Sequence, residues 1–225
     1  PLASTKILVL NVNSQTQINE DGGMLGAALH PEYGQAGSPN AHYFYVWYRY
    51  HPIGDPRGQQ AFMRLSRFTM NAAETYVNPA SEYVLVQQFD RQNWHNGGDM
   101  FFGPDGFLYF AVGDEGGAND QYNRTQNINS WFFGGVFRID VDMQGGSISH
   151  AIRRQPINGA SPPSGWPNSF SQGYFVPNDN PWQDAGGGIL EEYWAIGTRS
   201  PHRMTYDPPT GDIWIGDIGQ SSREE

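Results

Sequence analysis

Hydrophobic and polar residues alternate along several short stretches of the chain, and this two-residue period is typical of β-strands. No stretch shows a sustained helical period of 3.6 residues. Glycine, proline, asparagine and aspartate separate the alternating stretches, as expected for turns between strands. The pattern therefore predicts an all-β protein. In chain order, the predicted strands cover residues 6–12, 42–48, 62–70, 83–89, 107–112, 135–142, 191–197 and 212–215.

Three segments share one order of features: an apolar residue, a proline corner, a polar turn and an aromatic-rich strand. The corners are Pro31, Pro104 and Pro208, and the second and third units both end in a glycine–aspartate pair, Gly113-Asp114 and Gly216-Asp217. Repeated β units with uneven spacing favour the blades of a β-propeller. Unrelated hairpins in a β-sandwich are the alternative.

The stretch at about 143–188 differs from the rest of the chain. It is rich in glycine, proline, serine and asparagine and has little periodicity. We interpret it as a long loop insertion within a single domain that covers residues 1–225. Long ordered loops tend to carry function, and a disordered segment is the alternative.

Composition and charge exclude several classes of function. Among 225 residues the chain has 13 lysines and arginines and a net charge of −10. The basic residues do not cluster, so we expect no nucleic-acid partner. The chain has no cysteine, which excludes disulfides and thiolate chemistry. No apolar run approaches the ~18 residues of a membrane span.

One histidine is distinguished by its neighbours. His95 stands directly before Asn96 and the pair Gly97-Gly98. Glycine lets backbone and bound molecules approach an imidazole closely. Because the pKa of histidine lies near neutrality, His95 is a candidate general base. A surface histidine in a glycine-rich turn is the alternative.

Five motifs follow one another along almost the whole chain. They cover residues 23–31, residues 95–99 with 102–106, residues 112–114 with 126–130 and 137–142, residues 176–181, and residues 195–201 with 211–220. In this order they resemble the motifs of the glucose/sorbosone dehydrogenases, soluble sugar dehydrogenases that use pyrroloquinoline quinone (PQQ).

The resemblance implies a six-bladed β-propeller, of which this chain would cover about four blades as a piece of a longer protein. It implies oxidation of an aldose at the C1 hydroxyl to the lactone, with hydride transfer to PQQ beside a calcium ion. An external electron acceptor and a periplasmic or secreted location would follow. Since the family includes non-enzymatic relatives, a cofactor-free propeller that binds a protein or a glycan is the alternative.

The resemblance also assigns roles to individual residues. His95 matches the general base, and Arg199 matches an arginine that stabilises charge on the quinone. The implied cofactor contacts are Asp21, Trp94, His95, Arg199 and Ser200. The implied ligands of the calcium ion beside PQQ are Gly219 and Gln220, and those of a second, structural calcium ion are Glu224 and Glu225.

Two features complicate this assignment. Trp94 stands where the glucose enzymes of the family carry the aspartate that orients the base, and an indole cannot accept a hydrogen bond from an imidazole N–H. The acidic segments at Asp114-Glu115 and at Asp140 and Asp142 are alternative calcium ligands. Their position at strand ends favours turn-bonding or solvated carboxylates.

Overall fold

A computed structural model describes residues 6–52 and 58–221, and almost all of its regular elements are β-strands. Two short 3₁₀ turns, at Asn13–Gln15 and Pro79–Ser81, are the helical elements of these ranges. Within them, no helix has the length and apolar character needed to cross a bilayer. The strands are β1 (Met24–Leu29), β2 (Tyr43–Tyr50), β3 (Ala61–Thr69), β4 (Tyr83–Asp90), β5 (Met100–Phe102), β6 (Leu108–Val112), β7 (Gly135–Ile139), β8 (Ser149–Ala151), β9 (Phe170–Ser171), β10 (Phe175–Pro177), β11 (Tyr193–Ile196), β12 (Pro201–Asp207) and β13 (Asp212–Asp217).

The strands form four antiparallel sheets, ordered β1-β2-β3-β4-β9, β5-β6-β7-β11, β8-β10 and β12-β13. The first two contain a four-stranded meander each, in which every strand pairs with the next one in the sheet. They meet through β1 and β5, and β12 contacts β5 and β6. Successive four-stranded meanders packed face to face are the blades of a propeller. The predicted all-β propeller class is confirmed, with two of the four sheets built as full blades.

The segment predicted as a long loop contains β8, β9 and β10. Strand β9 pairs with β4, matching Val86 with Ser171, and becomes the outermost strand of the first sheet. Strands β8 and β10 form a short ribbon, and Phe175 in β10 also bridges to Asp140 beyond β7. The segment therefore contacts both blades, at the edge strand β4 of the first and at the end of β7 in the second.

The core lies between the two blades and is largely aromatic. The ring of Trp47 in β2 lies 5.4 Å from that of Phe110 in β6, which stacks at 5.1 Å on Phe137 in β7. Phe137 in turn contacts Tyr193 in β11 at 4.4 Å. Strands β2 and β6 are buried on both faces, so their hydrophobic runs are nearly continuous. Each fully buried large side chain contributes roughly 1.5–3 kcal/mol of transfer free energy.

The predicted strand at residues 6–12 is wrong. The carbonyl oxygen of Val9 accepts a hydrogen bond from the N–H of Val77, yet no strand is formed over these residues. Leu10 and Val12 pack against the first sheet, whereas Leu8 is 74% exposed. The alternation in the sequence reflects this one-sided packing, which does not require a ladder of hydrogen bonds.

A guanidinium is buried in the middle of the hydrophobic strand β2. Arg49 is 0% exposed, and its Nη1 donates to Oδ2 of Asp90 at 2.6 Å. The same nitrogen donates to the carbonyl oxygen of Gln92 at 2.5 Å and to Oδ1 of Asn96 at 2.6 Å. Burial raises the pKa of Asp90 above its ordinary value, and the charge of Arg49 opposes this rise. Arg49 therefore ties the loop after β4 to two strands.

A second buried carboxylate, Glu192, lies just before β11 and is 1% exposed. Its Oε1 accepts a hydrogen bond from the hydroxyl of Tyr174 at 2.7 Å. Burial, more than any neighbouring charge, raises the pKa of Glu192 to about 7. The folded protein therefore holds a proton on Glu192 at pH values where the unfolded chain has released it.

We expect this proton to make stability pH-dependent. Between the ordinary glutamate value of 4.5 and about 7, the folded state binds more protons than the unfolded state, so the free energy of unfolding falls as pH rises. Glu192→Gln keeps an acceptor for Tyr174 and removes the titration. From the lower to the upper end of this pH window, the free energy of unfolding of the variant should rise relative to that of the wild type by roughly 3 kcal/mol at most. Urea unfolding of the full-length protein at several pH values measures this.

Glu74→Gln, which changes an exposed carboxylate, is the matched control. Its free energy of unfolding should depend on pH in the same way as that of the wild type. Parallel curves for Glu192→Gln as well would contradict the assignment of the buried proton to Glu192.

We also expect Arg49→Met to destabilise the protein by about 3–5 kcal/mol, because it leaves Asp90 buried without its counter-charge. Replacing the charge of Asp90 in the same molecule, as Arg49→Met with Asp90→Asn, should recover more than ~1 kcal/mol of that loss. Denaturant unfolding of both single variants and the double variant gives the coupling energy. A double variant as unstable as the sum of the single variants would show that the two side chains do not act as a pair.

Candidate functional site

The loop between β4 and β5 holds His95 in a conformation that depends on its glycines. His95 has φ +58°, and Gly97 and Gly98 have φ +70° and +149°. A Cβ on Gly97 would lie 2.5 Å from the carbonyl oxygen of Ala111 in β6. Glycine therefore lets the loop pack directly on β6, and this rigid base positions the imidazole.

The imidazole of His95 is paired with a carboxylate. Its Nδ1 lies 2.6 Å from Oδ1 of Asp114, and the two side chains are 11% and 2% exposed. A carboxylate at this distance accepts the Nδ1 proton, which leaves Nε2 as the basic nitrogen of the ring. The backbone N–H of His95 donates to Oδ2 of Asp21 at 3.0 Å, which anchors the loop from the other side.

Asp114 is the functional residue that sequence reasoning missed. We expected it as a strand-end carboxylate or a calcium ligand, and we noted that Trp94 leaves the base without a carboxylate partner. The structure supplies that partner from the end of β6. Its signal in the sequence was the Gly113-Asp114 pair, which recurs as Gly216-Asp217 in the next repeat.

The neighbouring carboxylate has a different role. Glu115 is fully buried and accepts hydrogen bonds from Nε and Nη2 of Arg91 at 3.0 and 2.9 Å. It also accepts one from Nε of Arg124 at 2.6 Å. These two guanidinium groups satisfy Glu115, so it is not a solvated strand-end carboxylate.

Gly113 brings His95 and Arg199 to the same end of the sheets. A Cβ at this position would overlap the carbonyl oxygens of both residues. The N–H of Asp114 donates to the carbonyl oxygen of Arg199 at 2.9 Å. Only glycine permits this approach of three backbone segments, since any larger residue would push them apart.

The second glycine–aspartate pair holds the loop that carries Arg199. Oδ2 of Asp217 accepts a hydrogen bond from the N–H of Arg199 at 2.8 Å, and Oδ1 accepts one from the N–H of Ser200 at 2.6 Å. Ser200 is 2% exposed. Asp217 thus fixes this loop through two backbone groups.

The guanidinium of Arg199 is directed toward the segment after β13. Its Nη1 donates to the carbonyl oxygens of Ile218 and Gly219 at 2.9 and 3.2 Å, and its Nη2 donates to Oε1 of Gln220 at 2.8 Å. Its Nε is buried and has no acceptor among the described residues. An anionic, oxygen-rich cofactor such as PQQ would supply that acceptor, so the residues at this end fit such a group.

Two of the four predicted calcium ligands lie among the described residues. The predicted ligands Gly219 and Gln220 already offer oxygens to the guanidinium of Arg199, which is itself a cation. Within residues 6–52 and 58–221, no group of three or more histidine and carboxylate side chains is placed to hold a metal ion. The other two predicted ligands, Glu224 and Glu225, lie outside the described residues.

The structure therefore brings together four of the five predicted cofactor contacts. Asp21, His95, Arg199 and Ser200 are connected by hydrogen bonds around Gly113 and Asp217. Trp94 is 44% exposed, and its indole lies beside Gly116 at the edge of this cluster.

Curated relatives share part of their length with this chain. HIPL1 protein of Arabidopsis thaliana is 36% identical over 132 residues, which cover 58% of this chain and 16% of the relative. Hedgehog-interacting protein of Mus musculus is 29% identical over 171 residues, which cover 74% of this chain and 23% of the relative. The chain thus spans less than a quarter of either relative.

Solved structures share the fold. The apo-form of the soluble aldose sugar dehydrogenase from Escherichia coli superposes with a TM-score of 0.59 at 20% identity, covering 98% of this chain and 50% of that chain. The PQQ-bound aldose sugar dehydrogenase from Streptomyces coelicolor gives 0.57 at 19% identity, covering 94% and 46%. At these identities the likeness shows the fold. A family profile described as Glucose / Sorbosone dehydrogenase matches residues 4–151. The chain therefore belongs to the glucose/sorbosone dehydrogenase family.

Proposed function

We propose that the chain is part of a PQQ-dependent dehydrogenase that oxidises an aldose at its C1 hydroxyl to the lactone. The observation that carries this proposal is the pairing of His95 with Asp114 at 2.6 Å, with the backbone of Arg199 bonded to the same aspartate. A base oriented by a buried carboxylate is the arrangement that proton abstraction from a hydroxyl requires. Family membership and the fold shared with the sugar dehydrogenases support it.

The residues of this chain would divide the work as follows. Nε2 of His95 takes the proton of the C1 hydroxyl while C1 gives up a hydride, and the carbonyl of the lactone forms. Asp114 keeps the Nδ1 proton in place and stabilises the imidazolium that results. Nε of Arg199, which has no acceptor among the described residues, would donate to an oxygen of PQQ. PQQ, when bound, supplies the two-electron acceptor for the hydride, and an external acceptor then takes these electrons.

The location of the protein and its binding of calcium stay predictions. A periplasmic or secreted location is a further proposal that accompanies the dehydrogenase. Calcium binding by Glu224 and Glu225 falls outside the described residues, and no step of the proposed reaction depends on it.

We expect His95→Ala to abolish dye reduction by the full-length protein supplied with PQQ, calcium and a panel of aldoses. Asp114→Asn should lower kcat on the order of 10²-fold or more, because an amide that donates to Nδ1 would stabilise the wrong tautomer. His150→Gln is the matched control, since His150 lies in β8, bonds Gln183 and takes no part in the hydrogen bonds of the His95 loop given above. Full dye-reducing activity of His95→Ala would show that His95 is not the general base.

A second candidate is a cofactor-free propeller that binds a protein or a glycan. The specific observation is that the guanidinium of Arg199 is already bonded to the oxygens of Ile218, Gly219 and Gln220. The sequence relatives include a protein named for its interaction with Hedgehog, which supports a binding role in some family members.

Calorimetric titration of the full-length protein with PQQ, with and without a chelator of divalent cations, distinguishes the two candidates. The dehydrogenase is expected to give saturable heat, and Arg199→Ala should weaken it at least tenfold. The binding module is expected to give no saturable heat under either condition. Saturable PQQ binding without dye reduction on any aldose would contradict the proposed substrate.

A further inference from the structure

The segment before β1 lies against the loop between β4 and β5. It closes on the end of β2, because the N–H of Gln17 donates to the carbonyl oxygen of Arg49 at 2.9 Å. The N–H of Arg49 donates in turn to the carbonyl oxygen of Gly23 at 3.0 Å. The guanidinium of the same arginine bonds Asn96 at 2.6 Å. Arg49 therefore holds residues 17–23 through its backbone and the loop through its side chain.

Asp21, within this segment, makes three hydrogen bonds to the His95 loop. Its Oδ2 accepts one from the N–H of His95 at 3.0 Å. Its own N–H donates to the carbonyl oxygen of Asn93 at 3.2 Å, and its carbonyl oxygen accepts one from Nδ2 of Asn96 at 2.9 Å. One residue from a distant part of the chain thus bonds three of the four consecutive residues 93–96.

The backbone conformation that these bonds hold is an uncommon one. His95 has φ +58°, in the left-handed region that residues with a side chain rarely adopt. Such a conformation persists where the surroundings over-determine it. Asp21 holds the backbone of His95, while Asp114 holds its imidazole at 2.6 Å from Nδ1. The direction in which Nε2 points therefore depends on both aspartates.

The carboxylate of Asp21 is better suited to this backbone contact than to a contact with PQQ. An ionised carboxylate only accepts hydrogen bonds. The N–H of His95 supplies the donor that it needs. The oxygens of an anionic cofactor are themselves acceptors, and they carry charge of the same sign as the carboxylate.

We propose that Asp21 is a positioning residue, which acts through the backbone of His95 and directs Nε2 toward the hydroxyl that loses its proton. This role differs from the contact with the cofactor that the family resemblance implies. It rests on the proposed dehydrogenase for the reaction, but the geometry of the loop does not. What the role requires of Asp21 is an oxygen at the place of Oδ2, and its charge is secondary.

Three substitutions separate the position of this oxygen from the charge. Asp21→Asn removes the charge and keeps an acceptor in place, Asp21→Glu keeps the charge and displaces the oxygens by one methylene, and Asp21→Ala removes the acceptor. The assay is dye reduction by the full-length protein with PQQ, calcium and an aldose. We expect Asp21→Ala and Asp21→Glu to lower kcat about tenfold or more, because a misplaced base loses rate. Asp21→Asn should stay within about threefold of the wild type.

Two further measurements do not depend on turnover. Calorimetry should give all three variants a PQQ affinity within about threefold of that of the wild type. Without PQQ, the backbone amide of His95 should exchange its hydrogen about fivefold faster or more in Asp21→Ala and Asp21→Glu, because it loses its acceptor. Asp21→Asn should restore the slow exchange. Mass spectrometry of overlapping peptides over residues 91–99 measures these rates.

Glu20→Ala is the matched control. Glu20 is the preceding residue, is exposed and also has a positive φ of +50°, but it makes none of the hydrogen bonds to the His95 loop described above. Its variant should match the wild type in kcat and in the exchange of the His95 amide. If Asp21→Ala does not fold by circular dichroism, the contrast between Asp21→Glu and Asp21→Asn decides.

Failure of this proposal and failure of the dehydrogenase give different results. A wild type that reduces no dye removes the dehydrogenase, and the exchange rates then decide whether Asp21 holds the loop. The positioning role is overturned if the His95 amide exchanges at the wild-type rate in Asp21→Ala and Asp21→Glu. It is also overturned if Asp21→Glu is as active as the wild type while Asp21→Asn is not, or if Asp21→Ala weakens PQQ binding about tenfold or more.

Discussion

The meeting of three backbone segments at Gly113 is the constraint on which the candidate site depends. The loop after β4, the end of β6 and the loop before β12 approach one another so closely that a single Cβ would overlap two carbonyl oxygens. This approach sets His95 against Asp114 and joins the backbone of Arg199 to the same residue. Because all three segments are ends of strands in packed sheets, the site takes its rigidity from the core.

The loops around this point are held by buried charges. Arg49, paired with Asp90, bonds Gln92 and Asn96 of the His95 loop. Glu115 bonds both Arg91 and Arg124 next to the same loop. Removing paired charges from water costs free energy that the pairing only partly returns. Such pairs contribute less to net stability than apolar packing would, but they specify where each loop lies. Although the chain is acidic and has few basic residues, Arg49, Arg91 and Arg124 thus all lie next to the His95 loop.

The same scaffold suits both candidate functions. The imidazole–carboxylate pair is suited to proton transfer, whereas the bonding of Arg199 to its own chain leaves its terminal nitrogens occupied. The chain shares its fold with sugar dehydrogenases and part of its sequence with a protein named for an interaction with Hedgehog. A propeller positions its loops through its blades, so small changes among loop residues redirect its function without altering the sheets.

Strand content, the repeated units and the family were determined by the sequence alone. Alternation, turn residues and motif order are local properties, and they located most of the strands, the His95 loop and Arg199. They were misleading at residues 6–12, where one-sided packing imitates a strand, and at 143–188, where β9 joins a sheet whose nearest strand, β4, is some 80 residues earlier in the chain. Only the tertiary structure identified Asp114 as the partner of His95 and Arg49 as the anchor of its loop. These contacts join residues distant in the chain, and their energies depend on burial and on distances between atoms that no local pattern encodes.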